Sequence, residues 1–585
     1  MKTNYDKAPY IDSRLPAEVC DAGWDMIGAR LLSKQAGQRS ICCVECYPGV
    51  FESEIEIELV RRLKPDVVLR ARDAYRSPDE LRERFAGELT DDSVFGRISE
   101  AEMIDWFDPV LLKEHRSRVE DSQGHVLLIG AGAILLAGAV DFLSSLVYAD
   151  MARWELQRRQ RRNLIGNVGH ENHDARANEK YKRAFFLDWR VADRLKRSVL
   201  PRADFLLDTN CMSSPKLISG EVFRAALARA VRGPLRVVPF FDPGPWGGEW
   251  MREHFDLPSD APNYAWCFDC VPEENSLLLG FGDLRFEVPA QDLVLFEPEA
   301  LMGEAVHARF GFDFPIRFDL LDTMGGGNLS FQVHPLTAYI RDHFNMAYTQ
   351  DESYYMLDAA EAATVYLGLV DGVEPQQMEA DLRRANTGDG HFAIDRYVNQ
   401  VPAKKHDHFL IPAGTPHCSG RDCMVLEISA TPYIFTFKLW DWGRLGLDGR
   451  PRPVHLEDGM RNIQWDRTTE FVRRELVNAV TPVGSGPGWI EERTGLHALE
   501  FIETRRHWFT AIVDHETGGG VNVLNLVEGS EAIVESPTDS FAAFVVHYAE
   551  TFIVPALVGS YTIRPGRVGE RCATLKASIR TEEQA

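Results

Sequence analysis

The stretch His408–Cys418, HFLIPAGTPHC, returns in altered form at Thr551–Tyr561 as TFIVPALVGSY. Both read as an apolar strand, a Pro-Ala corner and a second strand. Val365–Gly372, VYLGLVDG, and Val523–Ser530, VLNLVEGS, match as the strand that leads into each copy. From about residue 236 the chain is a succession of short strands broken by Gly and Pro, as in FDPGPWGGEWM, Phe241–Met251. Such punctuation predicts an all-β region with a few packed helices, and the internal repeat predicts two jelly-roll barrels in series.

Paired barrels of this cupin type place metal ligands on neighbouring strands, and the first copy carries suitable residues. In LSFQVHP, Leu329–Pro335, residues i and i+2 of a strand point the same way, so Gln332 and His334 share a face while Phe331 and Val333 pack on the other. Alone, such a pair is more often a hydrogen-bonded core pair than half of a metal site. Downstream, however, come Glu352 in TQDESYYML and His417 in IPAGTPH. Two imidazoles, a carboxylate and an amide oxygen make an N/O shell of the kind zinc takes, with room for water or substrate. Pro412 and Gly414 form a tight corner that fixes where His417 projects. In the second copy Ser560 stands against His417, so that barrel is expected to be metal-free.

Composition narrows the function classes. The chain has 585 residues, enough for several domains, with 64 Lys plus Arg against 88 Asp plus Glu and a formal charge of -24. Such a balance repels nucleic acid and anionic membrane surfaces, and an anionic small substrate needs a local basic pocket. The opening MKTNYDKAPYIDS has no apolar core behind its basic residues, so no secretory signal is read. The longest apolar run, Val126–Val140, is short for a membrane span and is followed by Asp141; it reads as a buried strand entering a helix. Ten irregularly spaced cysteines suggest reduced thiols in a cytoplasm, and the pair Cys267 and Cys270, at CxxC spacing, reads as structural.

The region to about residue 235 alternates strand-like and helix-like segments, an α/β layer pattern. SICCVECY and PDVVLRARD read as strands, and SPDELRERF opens a helix with Ser77 as N-cap, Pro78 at N1 and Glu80 at the capping-box position. The strand ending at Asp150, the helix carrying Arg153, Arg158, Arg159, Arg161 and Arg162, and Tyr181–Asn210 resemble the second half of uridine-kinase-like P-loop proteins. No G-x-x-x-x-G-K-[ST] occurs, and Val44–Glu54, VECYPGVFESE, puts carboxylates where phosphates would sit. A kinase-like fold without phosphate transfer is expected, with a regulatory or assembly role. The arginines fit either a solvated helix face or an anion site. GAGAIL at Gly130 matches only part of a dinucleotide fingerprint. The expected plan is multidomain: a kinase-like α/β domain over 1–235, then an all-β double cupin with a metal-binding barrel over 236–440 and a metal-free barrel over 441–585.

Four ordered motifs, NLSFQVHP, DESYYML, IPAGTPHC with MVLEIS, and FKLWDWGR, resemble those of class I mannose-6-phosphate isomerases. FPIRFDLLDTMGGGNLSFQVHP and AETFIVPA fit as well, and the resemblance runs from PGPWGGEWM to the C-terminus. It implies zinc on Gln332, His334, Glu352 and His417, and reversible conversion of mannose 6-phosphate to fructose 6-phosphate through an enediol. Glu427 stands at the position of a family active-site carboxylate, for proton handling or for orienting a zinc ligand; His406 and His408 are alternatives as bases. The chain departs from the family where Asp319 replaces a lysine and Gln350 precedes Asp351 and Glu352, while Lys438 takes the place of a strand-end arginine. The phosphate therefore cannot be held in the usual manner, unless Arg317, Arg341, Lys404 or Lys405 compensates. A small-molecule sugar phosphate is the expected partner, with no nucleic acid and no membrane. A different or unphosphorylated sugar, or a sensor that binds sugar without turnover, are the other readings.

Overall fold

Ser40–Cys46 (β1) is buried at all seven positions, as a central strand of a parallel sheet must be. With Val67–Arg70 (β2), His125–Gly130 (β3), Ser145–Asp150 (β4) and Phe205–Asp208 (β5) it forms a parallel array in the spatial order β2-β3-β1-β4-β5. Lys216–Ser219 and Cys20–Ala22 extend the sheet antiparallel beyond β5. The computed structural model describes residues 4–35, 37–138, 143–211, 213–430, 435–495 and 500–580. They divide into two compact units, one of residues 10–230 and 276–296, the other of the remainder.

That division departs from the boundary read at 235. The hairpin Ser276–Phe281 and Leu284–Pro289 belongs to the α/β unit because Tyr10–Leu15 pairs with it in parallel. A strand partner more than two hundred residues away leaves no local pattern, so these apolar residues read as part of the β region. Residues 4–9 fall in the other unit.

Within the α/β unit, α1 (Pro78–Arg84) begins with the capping box read from sequence: the Glu80 N–H donates to the Ser77 hydroxyl, and the Ser77 N–H donates to the Glu80 carboxylate. The apolar run at Val126 forms β3 and then a short helix, Ile134–Ala137; Ala139, Val140 and Asp141 lie outside the described residues. The arginine helix α2 (Arg153–Arg161) matches neither alternative along its whole length. Arg159 is buried, donating to the carbonyls of Gly49, Thr209 and Asn210 and pairing with Glu155. Arg153 binds the Tyr47 hydroxyl and Asp193, while Arg158, Arg161 and Arg162 are exposed. A guanidinium stacked into the interior serves packing as much as charge.

Near the end of β1, Glu45 accepts from the N–H groups of Gly132 and Ile134, and beyond it Glu52 accepts from Ala131 N–H. The backbone amides following β3, which could cradle an anion, are thus filled by carboxylates of the same chain. Burial lifts Glu45 to about 8.

The other unit contains two antiparallel barrels. In the first, Phe240–Asp242 (β6), Trp266–Cys270 (β7), Ile316–Asp322 (β8), Phe331–Val333 (β9), Glu352–Ala359 (β10), Thr364–Leu369 (β11), Val398–Pro402 (β12), His408–Ile411 (β13), His417–Ser419 (β14), Cys423–Ala430 (β15) and Phe437–Trp440 (β16) make two sheets. Their orders are β13-β10-β15-β8-β7-β6 and β12-β11-β14-β9-β16. The second barrel has Thr481–Gly486 (β17), Trp489–Gly495 (β18), Ile502–Phe509 (β19), Val513–Glu516 (β20), Asn522–Glu528 (β21), Glu531–Glu535 (β22), Phe544–His547 (β23), Thr551–Val554 (β24), Ser560–Pro565 (β25) and Cys572–Ile579 (β26). Its sheets run β24-β21-β26-β19-β18-β17 and β23-β22-β25-β20. The six-stranded sheets superpose strand for strand and the other two over four strands, with β16 lacking a counterpart, so the repeat read from HFLIPAGTPHC is a repeat of jelly-roll topology.

The superposition corrects two local pairings. VLNLVEGS supplies β21, the counterpart of β10, whereas VYLGLVDG supplies β11. Ser560 is exposed and bonds Glu516; the buried neighbour Tyr561 pairs with His515 as His417 pairs with Gln332. A slip of one residue changes the face, and only the register of the partner strand reveals it. Asn522 opens β21 with the pairings that Glu352 has at the head of β10. Tyr561 donates to Asn522 at 2.9 Å and stacks on His515, so the second barrel has a phenol and an amide where the first has an imidazole and a carboxylate. Cys267 and Cys270 are buried free thiols. Among the described residues no helix is long and apolar enough to cross a membrane.

Candidate metal centre and its cavity

β9 and β14 pair with Gln332 opposite His417, while β10 in the other sheet begins at Glu352. The two faces meet inside the first barrel. His334 Nε2 lies 3.1 Å from one Glu352 oxygen, and His417 Nε2 lies 2.8 Å from the other. Donor atoms of His334, Glu352 and His417 all lie within 4.8 Å of one another, the one such group among the described residues. Gln332 Nε2 stands 3.3 Å from His417 Nε2, and rotating the amide would turn its oxygen to the same point. All four residues are buried.

Each imidazole is oriented by its other nitrogen. His334 Nδ1 bonds the Phe435 carbonyl at 2.9 Å and His417 Nδ1 bonds the Thr415 carbonyl at 2.8 Å, so both Nε2 atoms are aimed at the centre. The Pro412–Gly414 corner is as tight as its sequence suggests. Gly414 has φ +85°, and a Cβ there would lie 2.6 Å from Gln464 Cγ and 2.9 Å from the Asn462 carbonyl oxygen. His334 Nε2 is fully buried and faces the Glu352 carboxylate. Two buried imidazole nitrogens converging on one buried carboxylate are what make the donor set fit zinc. Burial works to raise Glu352, but the two imidazoles outweigh it and hold the carboxyl well below its ordinary range.

A cavity of about 220 Å³ opens beside this cluster, lined by Gln332, Glu352, Arg317, Asp319, Glu427 and Lys438, with aromatic walls from Trp246, Trp266 and Phe268. Arg317 and Asp319 share a face of β8, and the register sets Asp319 opposite Glu427 of β15. Arg317 bonds Glu427 directly and lies 3.3 Å from Asp319; Ser429 also donates to Glu427 at 3.0 Å. Burial lifts Asp319 to about 6, with Arg317 restraining the rise and Glu352 adding to it. Burial brings Lys438 down to about 7, with Arg452 adding to the fall. Among the described residues no hydrogen bond or ion pair holds the Lys438 ammonium.

The other sequence candidates lie elsewhere. Arg341 is an exposed helix residue beside Asp342, Lys404 is exposed, and Lys405 and His406 pair with Glu528 of the second barrel. Burial lowers His406 to about 4 and His408 to about 3, which makes both poor bases. Sequence reasoning missed Arg452, which lines the cavity while bound to Asp441 and Ser330. It lies in the irregular segment after FKLWDWGR, where no motif points to it.

A protein family described as a domain of unknown function (DUF8485) matches residues 23–232. Over 247 residues, 42% of this chain and 68% of the relative, the sequence is 28% identical to a mannose-6-phosphate isomerase of Streptococcus mutans. Over 236 residues, 39% of this chain and 68% of the relative, it is 28% identical to a probable mannose-6-phosphate isomerase of Bacillus subtilis. The solved mannose 6-phosphate isomerase of Bacillus subtilis aligns with 59% of this chain and all of its own, at 19% identity and a TM-score of 0.48.

Proposed function

We propose that the first barrel is a zinc-dependent aldose-ketose isomerase acting between mannose 6-phosphate and fructose 6-phosphate, or on a sugar closely related to them. The reading is carried by one observation: a buried, oriented His334, Glu352, His417 cluster opens on a sugar-sized cavity, in a chain alignable with curated isomerases of that name. Gln332, His334, Glu352 and His417 would hold the metal. When bound, the metal supplies a positive charge that polarises the sugar carbonyl and its neighbouring hydroxyl.

The remaining work falls to residues of the cavity. Trp246, Trp266 and Phe268 give the sugar an apolar wall and exclude water. Arg317 keeps the Glu427 carboxylate fixed, and Lys438 is the cation left over for an anionic group. No redox cofactor is required, since a hydrogen only moves between adjacent carbons. In the α/β unit, Glu45 and Glu52 on the backbone amides support a domain that does not transfer phosphate. Purified full-length chain should isomerise mannose 6-phosphate, lose activity to a chelator and regain it with zinc. Absence of turnover on mannose 6-phosphate and on free mannose would sink the reading.

Lys438 tests the anion. Removing a charge that contacts phosphate should cost on the order of 1.5–3 kcal/mol of binding. Lys438→Met should therefore raise KM for mannose 6-phosphate about tenfold or more with metal content unchanged. Parent-like kinetics in this variant would show that Lys438 does not meet the phosphate.

A further inference from the structure

Glu427, the carboxylate that the family position recommends for proton handling, is held through one of its two oxygens. Arg317 bonds it and the Ser429 hydroxyl donates to the same oxygen. These contacts fix the orientation of the Glu427 carboxylate in the cavity. Across the strand pair stands a second carboxylate, Asp319, held more loosely by the same arginine. Asp319 is 2% exposed and lines the same cavity, and no hydrogen bond completes its Oδ1, which has only Arg317 Nε at 3.3 Å. It stands where the resembled family has a lysine, so the residue that removes a cation from phosphate binding adds a proton acceptor.

We propose that Asp319 is the catalytic residue that carries the proton between C2 and C1 of the sugar, with Glu427 and Arg317 fixing its position. The inference rests on the isomerase reading above. In the aldose-to-ketose direction Asp319 takes the proton from C2. The C–H electron pair forms the C1–C2 double bond, and the carbonyl pair moves to O1, which takes a proton. Asp319 then delivers its proton to C1 while O2 loses its own and becomes the ketone. One carbon is reduced as its neighbour is oxidised, so no external oxidant or reductant enters. The groups facing Asp319 are Arg317 on its own strand, Glu427 on β15, Glu352 on β10 and Lys438 on β16. Asp319 is lifted to about 6 mainly by its burial, a value suited to a base that works near neutral pH.

The test uses full-length, zinc-loaded chain with mannose 6-phosphate and with free mannose, run in deuterium oxide. In the parent, deuterium should enter C1 of the ketose and C2 of recovered aldose. Asp319→Asn should lower kcat about a hundredfold or more, leave KM within about threefold, keep its zinc, and abolish deuterium entry. Asp319→Glu, which restores the carboxylate, should recover at least about tenfold over Asp319→Asn. Glu427→Gln should retain more turnover and more deuterium exchange than Asp319→Asn. The inference is overturned if Glu427→Gln is the more damaged variant, if Asp319→Asn exchanges deuterium at the parental rate, or if Asp319→Glu is no better than Asp319→Asn. A parent inactive on both sugars overturns the isomerase reading and this inference together; an active parent with a fast Asp319→Asn overturns this inference alone.

Discussion

The double variant His334→Ala with His417→Ala should leave purification with less than about a tenth of the zinc held by the parent, and with no measurable isomerase activity. Both imidazoles are buried, and both are aimed by carbonyls at a point shared with Glu352. Losing them removes half of the four donors and every nitrogen donor among them. Glu352 would then remain as a buried carboxylate without the two groups that hold it ionised. Removing one partner of such a pair leaves an uncompensated charge, which costs about 3–5 kcal/mol. The folded fraction must therefore be established by circular dichroism before zinc is counted. Elemental analysis of folded variant decides the matter: undiminished zinc would place the metal elsewhere in the chain. In the second barrel, His515→Ala, at the position of Gln332, should not alter zinc content, since Asn522 and Tyr561 stand there in place of a carboxylate and an imidazole.

What could be read in the sequence was whatever depends on short-range periodicity. The shared face of Gln332 and His334 follows from a strand's period of two, and the Pro412–Gly414 corner follows from backbone limits on those residues. The capping box at Ser77 is equally local. Misreadings arose where the decisive partner is distant. Ser560 was set against His417 because the strings align, yet the register against β20 puts Tyr561 on that face. The hairpin at Ser276 joins the α/β unit through Tyr10–Leu15, which carries no trace of the pairing. The charge economy of the cavity was invisible for the same reason. Arg317 and Glu427 are matched by a cross-strand offset between segments over a hundred residues apart, and Arg452 arrives from an irregular segment. Composition announces that the charges exist; only the fold decides which are neutralised by one another.

The α/β unit offers the second large effect, at Lys196 of α3 (Trp189–Val199). Its ammonium lies 2.5 Å from Asp150 at the end of β4 and also bonds Asp292 of α4 (Gln291–Phe296), and no side chain of the three is more than 3% exposed. One cation thus ties the returning segment 276–296 to the end of a central strand. Burial raises Asp292 well above its ordinary range, Lys196 opposing the rise and Asp150 adding to it. Lys196→Met keeps the apolar stem but leaves two carboxylates facing each other, and the unit should lose about 3–5 kcal/mol of stability at pH 8. The pH dependence has a definite sign. With Lys196 gone, Asp292 keeps a folded pKa above its unfolded value of about 3.9, so the folded state binds its proton more tightly than the unfolded one. Stability is then greatest below that pH and falls as pH rises through the raised folded value, so the deficit against the parent should shrink between pH 8 and pH 5. Amide hydrogen exchange over Ser145–Asp150 and Trp189–Val199 reads the opening free energy of this unit without interference from the barrels. Adding Asp292→Asn to Lys196→Met should restore part of the loss at pH 8, because one buried charge is removed with little change of shape. A deficit under about 1 kcal/mol at pH 8, or one that grows as the pH falls, would mean that the two carboxylates share a proton in the parent and that Lys196 contributes packing rather than charge.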